Sequence, residues 1–312
     1  MAREHFGSRM GVLLAMAGGA VGLGNMWRFP YLVGKNGGAA FILVYLLFVV
    51  FLCLPILVSE YALGRRTQKN AFGAFKMLSK NKSWSLIGIF AVLAAVCVLS
   101  FYCVVGGWSV KYLVESCKFN MPILDSSYFT GFISSSFAPV IYTLIFLALT
   151  GSVLVLGIQK GIERFSKVMM LLLCLLIILI AIRSVTLPGA MEGMKYLFVP
   201  NLNALNGKAL LEALGQSFFS LSIGCGTVLT YASYVSKKEN IITTSFMVAA
   251  FDTLFALVAC THCLAILVLL HVESLYILWI VGKDYRTLEM CLYKITFVLR
   301  SQVYAPIYRE LE

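Results

Sequence analysis

Seven runs of this chain are long and apolar enough to cross a lipid bilayer: about residues 10–34, 39–63, 84–115, 138–158, 165–187, 209–235 and 241–270. A spanning helix needs about 20 predominantly apolar residues. In hydrocarbon each backbone N–H and C=O must find a partner within the structure, which a helix provides. The pattern therefore predicts an all-α fold, a polytopic membrane helical bundle. An eighth apolar run, about 274–282, is too short to cross alone. Only 12% of residues are charged and 60% are hydrophobic, against about 25% charged in soluble domains. The nine cysteines lie mostly in apolar runs, where Cys behaves as a small hydrophobe. Cys260-Thr261-His262-Cys263 has a CxxC form but no second ligand pair, so no metal site is expected there.

The net charge of +11 reads as membrane topology rather than as nucleic-acid binding. Arg3 and Arg9 precede the first run. Arg65, Arg66, Lys69, Lys76, Lys80 and Lys82 follow the second. Lys160, Arg164 and Lys167 lie between the fourth and fifth, and Lys237 and Lys238 between the sixth and seventh. The alternate loops carry fewer cations, so the N-terminus is expected in the cytoplasm. Ala15-Met16-Ala17 mimics a signal-peptide cleavage box. The Gly, Asn and Arg just downstream fit a binding site better.

Two of the runs are punctured. The first contains Gly18-Gly19-Ala20-Val21-Gly22-Leu23-Gly24-Asn25, followed by Trp27-Arg28-Phe29-Pro30. Glycine costs about 1 kcal/mol relative to Ala inside a helix, so this segment is expected to unwind and bind something with its freed backbone groups. The sixth run is interrupted by Gly224-Cys225-Gly226. Two Gly-interrupted spans in corresponding positions point to a transporter of inverted repeats, a rule drawn partly from the family that follows. Five spans separate their starts, which inverts the second copy.

Arg3-Glu4-His5, Ala15-Met16-Ala17-Gly18, Ala20-Val21-Gly22-Leu23-Gly24-Asn25, Arg28-Phe29-Pro30 and Asn36-Gly37-Gly38 resemble the first helix of the neurotransmitter:sodium symporter family. Gly215-Gln216, Phe218-Phe219-Ser220-Leu221-Ser222, Gly224, Gly226 and Thr230-Tyr231-Ala232-Ser233-Tyr234 resemble its sixth. The likeness runs from about residue 3 to 259. It implies a leucine-transporter-like fold with broken helices 1 and 6, as in bacterial sodium-dependent amino-acid transporters. By resemblance, one sodium site would use the Ala20 carbonyl, Asn25, Ser220 and Asp252. A second would use the carbonyls of Gly18 and Val21 with oxygens from an eighth helix. The amino acid would lie against Ala20, Gly22, Leu23, Gly24 and Ser220. Free N–H groups near Leu23 and Gly24 would meet its carboxylate, helped by the Tyr102 hydroxyl. Val98, Phe219, Ser222 and Cys225 would line its side-chain pocket. Arg28 would belong to an extracellular gate, and Arg3 and Tyr234 to a cytoplasmic one.

Monoamine carriers of the family place an Asp at the position of Gly22. With Gly there, the substrate must supply its own anion, which favours an amino acid. A carboxylate at mid-span costs at least about 2.5 kcal/mol by insertion scales, so Asp252 reads as functional. Many relatives carry Asn there and use chloride; the acid implies chloride independence. The plainer reading of Asp252 is an acid snorkelling to water from a helix end. Glu60 reads as an interfacial acid near Arg65 and Arg66. Tyr102 and the first-helix glycines also have packing readings.

The resemblance fades after about residue 260. Residues 1–270 are expected to form a symporter core of spans 1–7. Residues 271–312 are expected to be an atypical tail of truncated or frameshifted origin, leaving the second inverted repeat incomplete. The function expected is sodium-coupled symport of an amino acid across the plasma or inner membrane. No covalent chemistry and no cofactor other than Na+ as coupling ion are expected. The expected partners are the amino acid, Na+ and the lipid bilayer, with no nucleic acid and with the oligomeric state left open. The alternatives are an inert fragment, a non-transporting membrane subunit, or a seven-helix receptor. Cytoplasmic placement of the N-terminus and the two broken helices argue against the receptor.

Overall fold

A computed structural model describes residues 6–79, 81–117, 126–186 and 190–272. Arg3 and the tail beyond Val272 lie outside the described residues. Among the described residues all regular structure is helical. In chain order the helices are α1 (Arg9–Ala20), α2 (Gly24–Lys35), α3 (Ala39–Thr67), α4 (Ala71–Leu78), α5 (Ser85–Cys117) and α6 (Ser126–Ser134). They continue with α7 (Ala138–Val155), α8 (Ile158–Val185), α9 (Ala190–Phe198), α10 (Gly207–Ser220), α11 (Thr227–Ala232) and α12 (Ile241–Val272).

Small polar residues start several of these helices. Ser8, Asn70, Asn206 and Asn240 each accept a hydrogen bond from a backbone N–H of the first turn, satisfying donors that a helix start leaves orphaned. Three helices contain a π-helical turn: Gly24–Arg28, Val49–Cys53 and Ile158–Glu163. Such turns often mark functional positions.

Among the described residues five helices are long and apolar enough to cross a membrane singly: α3, α5, α7, α8 and Ile241–Thr261 of α12. The pair α1 and α2, bent by 52°, makes a sixth. The segment 209–235, expected as a broken sixth span, is two short helices, α10 and α11, joined by residues 221–226. The backbone explains the break: Ser222, Gly224 and Gly226 have φ of 53°, 85° and 71°, in the left-handed region that ends a helix. Gly226 has a second reason to be glycine, since a Cβ there would lie 2.7 Å from the Ala71 Cβ.

The helices group into two compact units, one of Met1–Ala95 with Leu156–Val272, the other containing Val96–Val155. The first unit holds the two broken segments. Its main core joins Phe29 of α2, Phe41, Tyr45 and Leu57 of α3, Ala213 of α10, Leu221, Ala232 of α11, and Val248 and Ala256 of α12. A smaller cluster joins Ala17, Val21, Met170 and Ile177 to Phe255 and Ala259 of α12. Leu43, Leu47 and Phe51 of α3 and Leu171, Leu175 and Ile178 of α8 stand exposed, as suits helices that face lipid. The second unit packs α5 against α6 and α7 around Trp108, Tyr112, Phe129, Phe132 and Tyr142. Gly107 permits this approach; a Cβ there would stand 2.6 Å from the Thr143 backbone nitrogen.

Candidate functional site

The break in the first segment begins at Val21, which leaves the helix with φ −68° and ψ 120°. The Gly22 carbonyl then accepts from both the Asn25 and Met26 N–H groups, at 3.1 and 3.2 Å. The Gly22 N–H donates to Asn25 Oδ1 at 3.1 Å. A single polar side chain thus closes the turn that glycine opens. The same side chain also reaches across the core.

Asn25 Nδ2 donates to Asp252 Oδ1 at 2.8 Å, to the Asp252 carbonyl at 3.2 Å and to Ser220 Oγ at 3.1 Å. Ser220 Oγ donates to Asp252 Oδ2 at 2.5 Å. Asn25 and Asp252 are fully buried and Ser220 is 1% exposed. Three elements meet here: the head of α2, the end of α10 and the middle of α12. The hydroxyls of Tyr45 and Thr253 are buried at the same place, beside Ser220. No Lys or Arg among the described residues forms an ion pair with Asp252. A buried carboxylate without a cation is costly. The oxygens of Asp252, Ser220 and the Asn25 amide are hard donors of the kind that suit an alkali or alkaline-earth cation.

Beside this cluster Leu23 and Gly24 head α2, where backbone N–H groups lack intrahelical partners. The Phe219 ring lies against Gly24; a Cβ at Gly24 would meet it at 3.0 Å. Arg28 lies over that ring, its Cζ 5.2 Å from the centroid. Arg28 Nη1 donates to Gln216 Oε1 at 2.9 Å, and Gln216 Nε2 donates to the Gly24 carbonyl at 3.1 Å. A chain of contacts thus ties both broken segments together above Phe219. Ser222 Oγ donates to the Gly19 carbonyl at 3.1 Å, and Cys225 is half-buried in the second break. A cavity of about 20 Å³ opens beside Ala20, Ser222, Tyr61 and Tyr231. It is water-sized, so an amino acid enters only with movement of these walls.

The structure therefore brings Ala20, Gly22, Leu23, Gly24, Asn25, Phe219, Ser220, Ser222, Cys225, Asp252 and Arg28 into one region. Gly18 and Val21 turn elsewhere, towards Met170 of α8. Val98 and Tyr102 belong to the other unit. The reading of Glu60 as an interfacial acid needs correcting. Its Oε1 accepts the Gly224 N–H at 2.8 Å, its Oε2 is buried, and it props the second break. Its apolar surroundings on α3 were the available signal. Gln216 stood inside the sixth-helix motif without a role, and Tyr45 offered no signal.

The other end of the same unit gathers the start of the chain. The Phe6 N–H donates to the Tyr234 carbonyl at 3.3 Å. Arg9 pairs with Glu239 at 3.8 Å, whose carbonyl accepts from Arg65 at 2.5 Å. Glu163, buried, accepts from the Gly7 N–H at 2.7 Å, from Ser8 Oγ at 3.0 Å and from Lys167 at 2.7 Å.

The model of the family described as the Sodium:neurotransmitter symporter family matches residues 3–131 and 133–293. An uncharacterised sodium-dependent transporter of Bacillus subtilis, YhdH, is 42% identical over 259 residues, 82% of this chain and 57% of the relative. A sodium-dependent neutral amino acid transporter of Mus musculus, B(0)AT3, is 32% identical over 289 residues, covering 82% of this chain and 46% of the relative. The chain thus spans about half the length of the curated relatives it matches. Among solved structures, the crystal structure of MhsT in complex with L-phenylalanine superposes with a TM-score of 0.84 at 37% identity. That match covers 97% of this chain and 71% of the other.

Proposed function

The chain belongs to the sodium:neurotransmitter symporter family, and on that premise we propose that its two broken segments bind Na+ and an amino acid for coupled symport. The carrying observation is the buried Asn25–Ser220–Asp252 cluster at the head of α2. Sodium is held by the Asp252 carboxylate, Ser220 Oγ, the Asn25 amide oxygen and the Ala20 carbonyl. To present its oxygen, the Asn25 amide turns away from Gly22, which couples ion entry to the shape of the break. The substrate carboxylate takes the N–H groups of Leu23 and Gly24, next to that ion, because Gly22 offers no acid of its own. Phe219, Ser222 and Cys225 face the side chain, and Arg28 with Phe219 closes the outer side. Gly18 and Val21 contribute carbonyls to a second, weaker sodium site.

Asp252 carries the negative charge beside the ion, so binding needs no chloride. The basic end, with Arg9, Arg65 and Tyr234, faces the cytoplasm. Equilibrium binding of radiolabelled amino acids to the purified chain tests the reading. Binding is expected to require Na+ over K+ and to persist when gluconate replaces chloride. Sodium-independent binding, or a large loss in gluconate, overturns it.

A further inference from the structure

At the basic end an open cleft of about 380 Å³ is lined by Ala62, Arg65, Arg66, Lys237 and Ile241. We propose that this cleft seats the phosphate headgroup of an anionic phospholipid. The placement carries the argument. Arg65 and Arg66 lie in the last turn of the apolar span Ala39–Thr67, and Ile241 opens the span Ile241–Thr261. The cleft therefore sits where two spans leave the hydrocarbon, at the level of lipid headgroups. Its lining divides accordingly: three cations, Arg65, Arg66 and Lys237, to meet a phosphate, and two apolar side chains, Ala62 and Ile241, to meet a glycerol backbone and the start of an acyl chain.

The charges are available. Arg66 and Lys237 are exposed, and neither forms an ion pair among the described residues. The acid of the adjoining loop, Glu239, is committed elsewhere: its carboxylate faces Arg9 and its carbonyl takes Arg65. That bond holds the Arg65 side chain and leaves Arg66 and Lys237 to meet an anion. Basic pockets between spans bind acidic headgroups by this combination of charge and depth. Such a lipid would clamp the end of α3 to the start of α12, whether or not the chain moves substrate.

The chain, extracted from vesicles of equal parts phosphatidylglycerol and phosphatidylcholine, is assayed by native mass spectrometry for retained lipid. Each cation near a membrane surface favours an acidic lipid about fivefold, so the wild type is expected to retain phosphatidylglycerol over phosphatidylcholine about 25-fold. Arg66→Gln with Lys237→Gln is expected to bring the ratio close to parity. Arg66→Lys with Lys237→Arg, which keeps the charge, should stay within about twofold of wild type. Undiminished phosphatidylglycerol retention in the Gln pair overturns the site. So does inorganic phosphate that, without lipid, protects the chain from thermal unfolding as well as phosphatidylglycerol does, since the occupant is then a soluble anion.

Discussion

Asp252 is the residue whose environment says most. It is buried on α12, hydrogen-bonded by Asn25 and Ser220, and faced by no cationic side chain among the described residues. Asp252→Ala removes the charge that calls for a cation and leaves Asn25 Nδ2 without its best acceptor. Sodium-stimulated binding is expected to fall at least tenfold. Stability should drop by about 1–3 kcal/mol, the usual cost of an orphaned buried polar group. Equilibrium binding and denaturant unfolding check the two effects separately. Gly24→Ala probes the neighbouring contact: its Cβ meets Phe219 at 3.0 Å, which pushes the ring from beneath Arg28. Amino-acid affinity should fall about tenfold while sodium-linked stabilisation persists, as isothermal titration with each ligand would report. In the sequence Asp252 stood out because a carboxylate in an apolar run is expensive, whereas the roles of Asn25 and Ser220 came from the resemblance to the family. Glu60 obeyed the same rule, and Gln216 stood inside the sixth-helix motif. Their partners are the Gly24 carbonyl and the Gly224 N–H, backbone groups that no residue pattern announces.

At the level of elements, the glycines revealed both breaks but not their form. The first is a bend closed by Asn25 and a π-helical turn; the second is a left-handed linker propped by Glu60. Both depend on hydrogen bonds between segments distant in sequence, which glycine spacing does not announce. Gly226→Ala forces an L side chain to φ 71° and against Ala71. A loss of about 1–2 kcal/mol from the left-handed backbone alone is expected in chemical unfolding. The start of α8 offers a second test. Glu163 there fastens residues 7 and 8 and leaves no room at Gly11, where a Cβ would overlap its carboxylate. Glu163→Ala should release that strap, and amide exchange at residues 6–8 should accelerate at least tenfold while the core of α12 exchanges as before. Equal exchange in both proteins would show that the strap is held by other contacts.

Across the whole chain, ion binding and stability are one equilibrium. A ligand that binds only the folded form stabilises it by RT ln(1 + [L]/Kd). Above Kd, each tenfold rise in ligand therefore adds about 1.4 kcal/mol per bound ion. The slope of stability against sodium thus counts ions without any transport assay. Among the described residues one buried cluster joins a carboxylate, a hydroxyl and an amide at a helix break. Gly18 and Val21 instead lie against the Met170 side chain of α8. The expected slope is therefore that of one ion, about 1.4 kcal/mol per decade. It should be absent in KCl and abolished by Asn25→Ala. A slope near 2.8 kcal/mol per decade would mean that a second ion is held as tightly, and one cluster would no longer account for the coupling. Since the cluster joins α2, α10 and α12, the stabilisation should appear as one cooperative shift of the unit that contains them, read by thermal unfolding at fixed ionic strength.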